Sequence, residues 1–185
     1  MAIGGVAQMT YKQYITQKCE EYATKKNVQF IGYNTAFGSR MYGTLLSIPS
    51  DKCLECPVAE NLMLGMGVGM ALEGYRPVVC FERHDFLLLA MDALINHVDK
   101  LAWISGDQFK LPIIIRAIVG GQHPINPGPM HTQDYTSSLR IALKHTPVYV
   151  PRNKMEFDRA WAEVGLTESG AVVIVEYRDD YDKEL

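Results

Sequence analysis

The chain has 185 residues, 48% of them hydrophobic, and a formal net charge of -3 with histidine neutral. That length fits one domain over residues 1–185, with apolar material for a core covered on two faces. So small a net charge offers no basic field for a nucleic acid, and no apolar run is long enough to cross a bilayer, so neither partner is expected.

The opening residues, MAIGGVAQMT, lack the basic and apolar regions of a signal peptide. Thr10 and Gln13 stand at capping-box spacing and predict a helix starting at Thr10. Tyr11, Tyr14, Ile15, Cys19, Tyr22 and Ala23 recur along one of its sides. A short strand is predicted at 28–33, a loop rich in Gly, Ser and Thr at 34–50, and an extended piece at 52–56. Residues 57–74 read as a helix and 77–81 as a strand. Residues 84–104 read as one long helix, with Phe86, Leu89, Ala90, Ala93, Leu94, His97, Leu101 and Ile104 along its inner side. A strong strand follows at 111–119, then a Gly/Pro-rich loop at 120–133 and a helix at 135–143. The last elements are a strand at 148–150, a helix at 154–167 and a strand at 171–176. The terminal D-K-E-L is not the K-D-E-L signal and reads as a solvated tail.

Apolar strands alternating with helices predict a three-layer α/β fold, a mostly parallel sheet with helices on both faces. Ligands of such a sheet bind beyond the carboxyl ends of its strands, where Glu60, residues 81–86 and the 120–133 loop gather. Cys53 and Cys56 form C-x-x-C, but no second pair or histidine set completes a zinc site, and the context is not that of a thioredoxin motif. His84, His97, His123 and His145 show no ligand spacing, so no metal residue is assigned. The four cysteines suit reduced thiols in a cytoplasmic protein.

The segment at 57–74, P-V-A-E-N-L-M-L-G-M-G-V-G-M-A-L-E-G, places Pro57 and Gly74 where helix ends favour them. Glu60 stands at its front edge. A carboxylate in a first turn answers the helix dipole, worth about 0.3–1 kcal/mol, and for an isolated Glu that is the ordinary account. Gly65, Gly67 and Gly69 each cost about 1 kcal/mol relative to alanine, so three of them point to a close backbone approach. Their spacing fits neither the dinucleotide fingerprint nor G-x-x-x-x-G-K-[ST].

Four blocks stand in order: the segment continued to Val79 as Y-R-P-V-V; D-F-L-L-L-A-M-D-A-L-I-N-H-V-D-K at 85–100; S-G-D-Q-F-K-L-P-I-I-I-R at 105–116; and P-G-P-M-H-T-Q at 127–133. Together they resemble the pyrimidine-binding domain of transketolase-like thiamine-diphosphate enzymes. The likeness is greatest to the beta subunit of the 2-oxoacid dehydrogenase decarboxylase component, of pyruvate and branched-chain types. It runs over residues 10–177.

The resemblance implies that Glu60 bonds a ring nitrogen of the cofactor's aminopyrimidine, favouring the tautomer that can act as an internal base. It implies that Phe86 stacks on that ring, a contact worth about 0.5–1.5 kcal/mol, although a helix-face phenylalanine is by itself ordinary core. It places His131 as an active-site histidine facing the substrate, a proton donor or anion partner. Leu62 and Met63 could line the pyrimidine pocket, though plain core is the simpler account. Arg116 is expected to be structural.

The sequence departs from the family at Glu82-Arg83-His84, where Gln, Phe and Ala are usual; these charges point to a partner subunit or an unusual substrate. The family holds its diphosphate through a metal bound by G-D-G and a later N-N, and neither motif is present. The implied enzyme therefore shares thiamine diphosphate with a separate diphosphate-binding, alpha-type subunit that also holds Mg2+. The expected assembly is an α2β2-type hetero-oligomer with a beta–beta contact. It would decarboxylate a 2-oxo acid, as an oxidoreductase of dehydrogenase type, or transfer the acyl or aldehyde unit of a 2-oxo acid or ketose-like substrate. The helix over 60–74, with Gly67 at its centre and Met63, Met66 and Met70 beside it, is the expected subunit contact. The family's beta subunits carry a further carboxy-terminal domain, joined by a linker that would begin near Glu176. The alternative class is a non-catalytic assembly subunit, against which Glu60, Phe86 and His131 weigh together. A nucleotide-binding domain ranks last for want of a phosphate loop.

Overall fold

Six β-strands hydrogen-bond into one sheet in the order β2-β1-β3-β4-β6-β5, and every pairing is parallel. They are β1 (Val28–Gly32), β2 (Cys53–Glu55), β3 (Arg76–Phe81), β4 (Ile114–Val119), β5 (Val148–Tyr149) and β6 (Val172–Tyr177). The structure, a computed structural model, describes residues 8–164, 166 and 170–185. The expectation for the first seven residues, and the predicted helix end at Thr167, lie outside them. Among the described residues no helix is long and apolar enough to cross a membrane.

Successive strand residues point to opposite faces, and both faces are covered. On one, Phe30, Val78, Ile114 and Ile174 pack against α1 (Tyr11–Ala23) and α6 (Lys154–Ala162). On the other, Ile31, Val79, Ile115 and Val173 meet α2 (Glu60–Leu72), residues 87–98 and α5 (Thr136–Ala142). The three-layer α/β architecture is thus the one predicted, with the sheet wholly parallel. The capping box of α1 forms: Thr10 Oγ1 accepts from the Gln13 N–H, and the Gln13 side chain accepts from the Thr10 N–H at 2.8 Å. Asn153 caps α6 in the same sense, its Oδ1 3.0 Å from the Glu156 N–H.

Residues 84–104 are not one helix. They form α3 (His84–Leu87), a 3₁₀ turn (Leu88–Ala90), a wider π-type turn (Ala93–Val98) and α4 (Leu101–Ile104). The change of pitch rotates the inner side, so Leu87, Ala90, Leu94, Val98 and Ala102 are buried while Leu89, His97 and Ile104 are exposed. In F-L-L-L-A, apolar residues occupy every position of a turn, and no period selects a face. The C-terminal tail is also not a free end: Leu185 N–H donates to Met9 O at 3.0 Å, Tyr11 N–H donates to Lys183 O at 2.8 Å, and Tyr181 is fully buried.

Gly67 differs from the expected subunit contact. A Cβ on it would lie 2.6 Å from Val79 Cγ2, so this glycine lets α2 sit down on β3, and Met63 is buried beside it. Gly65 and Gly69 face outward, with nothing within 4 Å of a built Cβ. A helix with glycine at every second position must turn successive ones to different sides.

Two charged groups are buried within the sheet itself as a pair. Arg116 on β4 is fully buried, its Nε 2.6 Å from Glu176 Oε1 and its Nη2 3.0 Å from Oε2. Nη2 also reaches Thr44 Oγ1 at 3.1 Å, and Nη1 reaches Cys19 Sγ at 3.4 Å. The Tyr181 hydroxyl donates to Glu176 Oε2 at 2.7 Å. Burial opposes the charge of the guanidinium, but the carboxylate beside it holds it protonated.

Arg116→Met is expected to cost about 3–5 kcal/mol in urea denaturation, because Glu176 is left buried and unpaired; adding Glu176→Leu should recover part of the loss. Gly67→Leu should destabilise the isolated chain, whereas Gly65→Ala should raise its stability by up to about 1 kcal/mol.

Candidate functional site

The chain runs from edge strand β2 back across β1 to β3, with α2 as the crossover. That reversal of strand order opens a crevice at the carboxyl ends of β1, β2 and β3. A cavity of about 200 Å³ lies there, lined by Tyr33 after β1, Val58, Glu60 and Met63 around the start of α2, Cys80 and Phe81 at the end of β3, and then Glu82 and Phe86.

Glu60 is the first residue of α2 and only 7% exposed. Among the described residues its carboxylate has no hydrogen bond or ion pair. The helix dipole offers it about 0.3–1 kcal/mol. Its two oxygens are not among the fully buried polar atoms, so they still reach water at the cavity. The dipole accounts for a carboxylate in this first turn, and a ligand in the cavity would meet oxygens that no protein group occupies.

Phe86 forms part of the cavity wall, and its ring meets His131 edge-on at 5.5 Å between centroids, 81° between planes. His131 Nδ1 is buried without a partner. Glu60, Met63 and Phe86 thus share one cavity, and His131 joins it through Phe86. Leu62 does not: it is 50% exposed on the outer side of α2, a consequence of the 100° step from its neighbours.

Of the other wall residues, Val58 lies in the 57–79 block and Glu82 in the Glu82-Arg83-His84 departure, while Tyr33 carries no motif and the strand-end rule pointed only to its neighbourhood. Glu82 accepts from Asn34 Nδ2 at 3.0 Å and from the Ser39 hydroxyl. Beneath them the Glu55 carboxylate accepts the backbone N–H groups of Asn34, Thr35 and Ala36 at 2.7–3.0 Å. This charge-assisted anchor holds a loop in which Arg40, Met41 and Tyr42 are all left-handed. Arg83 lies over the Tyr42 ring at 5.1 Å, and Arg178 at 5.2 Å. Burial pushes the Cys53 and Cys56 thiols up, which disfavours the thiolate that metal or redox chemistry needs. Among the described residues, no three His, Cys, Asp or Glu side chains stand together as metal ligands.

The profile of the family "Transketolase, pyrimidine binding domain" matches residues 7–183. The chain belongs to that family. Among relatives of this pyrimidine-binding chain is the pyruvate dehydrogenase E1 component subunit beta-4, chloroplastic, of Oryza sativa subsp. japonica, 45% identical over 42% of this chain and 18% of the relative. The pyruvate dehydrogenase E1 component subunit beta of Rhizobium meliloti (strain 1021) is 28% identical over 76% of this chain and 33% of the relative. The chain therefore spans a third or less of these two relatives' length. A split gene transketolase, solved as an inactive beta4 tetramer, shares the fold with a TM-score of 0.62 at 17% identity, over 91% of this chain and 50% of that one.

Two accounts of Glu60 predict opposite signs. If its carboxylate is held without a partner, Glu60→Leu should stabilise the isolated chain by about 1–3 kcal/mol. If it serves only the helix dipole, the same change should cost about 0.3–1 kcal/mol. Urea midpoints of the two proteins decide, and stabilisation is expected.

Proposed function

We propose that this chain is the pyrimidine-binding subunit of a split thiamine-diphosphate-dependent enzyme, acting as one domain of a two-subunit site. The observation that carries this reading is Glu60 in the wall of an aromatic-lined cavity, its carboxylate without a partner among the described residues. The names of the pyruvate dehydrogenase beta subunits support it, and so does the split transketolase with the same fold.

The residues present fit the cofactor's aminopyrimidine. That ring is flat and apolar on its faces, with hydrogen-bonding nitrogens on its rim. Phe86 offers a face or edge to it, Met63 an adaptable apolar floor, and Glu60 the hydrogen-bond partner that the ring's rim requires. When bound, thiamine diphosphate supplies a thiazolium carbon that becomes a nucleophile on losing its proton. Glu60 holds or releases a proton at the pyrimidine ring nitrogen, and the apolar walls keep water from weakening that bond. His131, fixed against Phe86, acts on the substrate side as proton donor or anion partner. The substrate is a 2-oxo acid, decarboxylated on the enzyme, or a ketose-like donor of the same two-carbon chemistry.

Neutralising a diphosphate falls to an alpha-type partner, which binds Mg2+ and closes the cavity. A hetero-oligomer of α2β2 type then needs a beta–beta contact as well. The outer stripe of α2 suits it: Leu62 and Leu72 are exposed, and Gly65 and Gly69 between them leave room for a facing backbone.

Two measurements test the reading. Glu60→Gln should leave assembly with the partner intact but lower turnover by about two to three decades, with slower exchange of the thiazolium proton by NMR. Unchanged exchange in the variant would refute the role. Calorimetry on this chain alone should find weak, magnesium-independent binding of thiamine diphosphate; tight, magnesium-dependent binding would overturn the shared site.

A further inference from the structure

Three residues beyond His131 the chain makes a turn that α3 grips from the side. His84, the first residue of α3, is fully buried, and its Nδ1 accepts the Tyr135 backbone N–H at 3.4 Å. Its neighbour Asp85 accepts the Gln133 N–H at 3.4 Å through Oδ1. From the other side β6 contributes Tyr177, whose hydroxyl donates to Asp134, while Asp134 Oδ1 accepts the Thr136 N–H at 2.8 Å. The same short α3 carries Phe86, the cavity wall that meets the His131 ring. So one helical turn holds the His131 ring by Phe86 and its following backbone by His84 and Asp85.

We propose that His84 is a positioning residue for His131, and that it holds the 131–135 turn only while its imidazole is neutral. The argument rests on donor and acceptor counting. A ring nitrogen that accepts a backbone N–H carries no proton, so the neutral ring must be the Nε2–H tautomer. Nε2 is buried without a partner, and no other group fixes that tautomer. Protonation at Nδ1 would remove the acceptor of the Tyr135 N–H and turn the ring into a donor. The nearest acceptor is then Asp134 Oδ1, 3.7 Å away, which would draw the imidazolium from the Tyr135 N–H toward the carboxylate and loosen the turn that carries His131.

The charges acting on His84 are Asp134 across the turn and Asp85 beside it; Tyr177 acts through Asp134. Tyr135 lays its ring edge-on at 5.9 Å, and the guanidinium of adjacent Arg83 lies away over Tyr42. Burial lowers the imidazole below its ordinary 6.5 and outweighs the two carboxylates, which raise it. The sign follows. The folded state takes up this proton less readily than the unfolded chain, so the contribution to stability is complete above 6.5 and is lost as pH falls through the lowered folded value. The neutral, gripping form is the resident one at pH 7.

The inference rests on the proposed role of His131 for its catalytic consequence, but not for its geometry. The test uses His84→Asn, whose Oδ1 can stand where Nδ1 stands and does not titrate, and His84→Leu, which offers no acceptor. On the full chain, NMR should show the Tyr135 and Gln133 amides moving together on acidification in the wild type. That step should be absent in His84→Asn, and in His84→Leu the low-pH positions should appear at every pH. In the complex with its partner, His84→Leu should lower kcat about ten- to hundredfold with KM changed less than about threefold, as expected for a misplaced catalytic group. His84→Asn should recover most of kcat and lose the acid limb that His84 imposes. If the wild-type NMR step persists in His84→Asn, or if His84→Leu leaves the His131 signals at pH 7 where the wild type has them, the proposal falls. If those signals behave as stated but the complex shows no thiamine-dependent turnover, the clamp stands and the proposed function falls.

Discussion

A bidentate ion pair buried at the centre of the sheet constrains the rest of the molecule. Arg116 and Glu176 sit on neighbouring strands, where Arg116 pairs in register with Ile174 and both charged side chains point to the α1 face. Such a pair adds little net stability, since desolvation offsets its attraction, but each half is costly without the other. A one-residue slip of β4 against β6 would send one charge to the opposite face and strand both. The pair also gathers Cys19 of α1, Thr44 of the 34–50 loop and Tyr181 near the C-terminus. Tyr181 in turn lies one residue from the tail that pairs with Met9 and Tyr11. Register, the first helix and both described ends are thus tied to a single requirement.

That register decides where β4 and β6 release the chain. Gly120 leaves β4 directly under the turn that holds His131; a Cβ on Gly120 would lie 1.8 Å from the His131 carbonyl oxygen. Tyr177 ends β6 within reach of Asp134 in the same turn. The core thus positions the site through backbone register and through glycine where the two chains touch.

The cavity is supplied differently from the core. Elsewhere among the described residues buried carboxylates are well supplied: Glu176 has Arg116 and Tyr181, and Asp99 accepts three successive backbone N–H groups from Lys144 to Thr146. Glu60 has no such partner, and its oxygens keep access to the cavity instead. The outward stripe of α2 and the wall it lends to the cavity lie on opposite sides of one helix. The proposed subunit contact and the proposed cofactor contact therefore use different side chains of the same thirteen residues.

Much of this was legible in the residues alone. Capping at Thr10, the six strands, their parallel layering and the neighbourhood of Glu60, Phe86 and His131 follow from periodicity, strand-end geometry and four short blocks. These features are local, or depend on spacing that one chain preserves. Which way each side chain faces was another matter. Gly67 turned in against Val79 and Leu62 turned outward because a helix apolar all round gives no phase; Leu89 turned outward in a 3₁₀ turn and Ile104 beyond a π-type turn, each of which shifts the face. The grip of His84 on Tyr135, 51 residues away, and of Tyr177 on Asp134, 43 away, was invisible, since no pattern in a sequence records which loop lies against which helix. Sequence determined the elements, their order and the chemistry available, because those depend on local propensity and polarity. Tertiary structure alone decided which groups were left without partners, because satisfaction of a buried charge depends on everything packed around it.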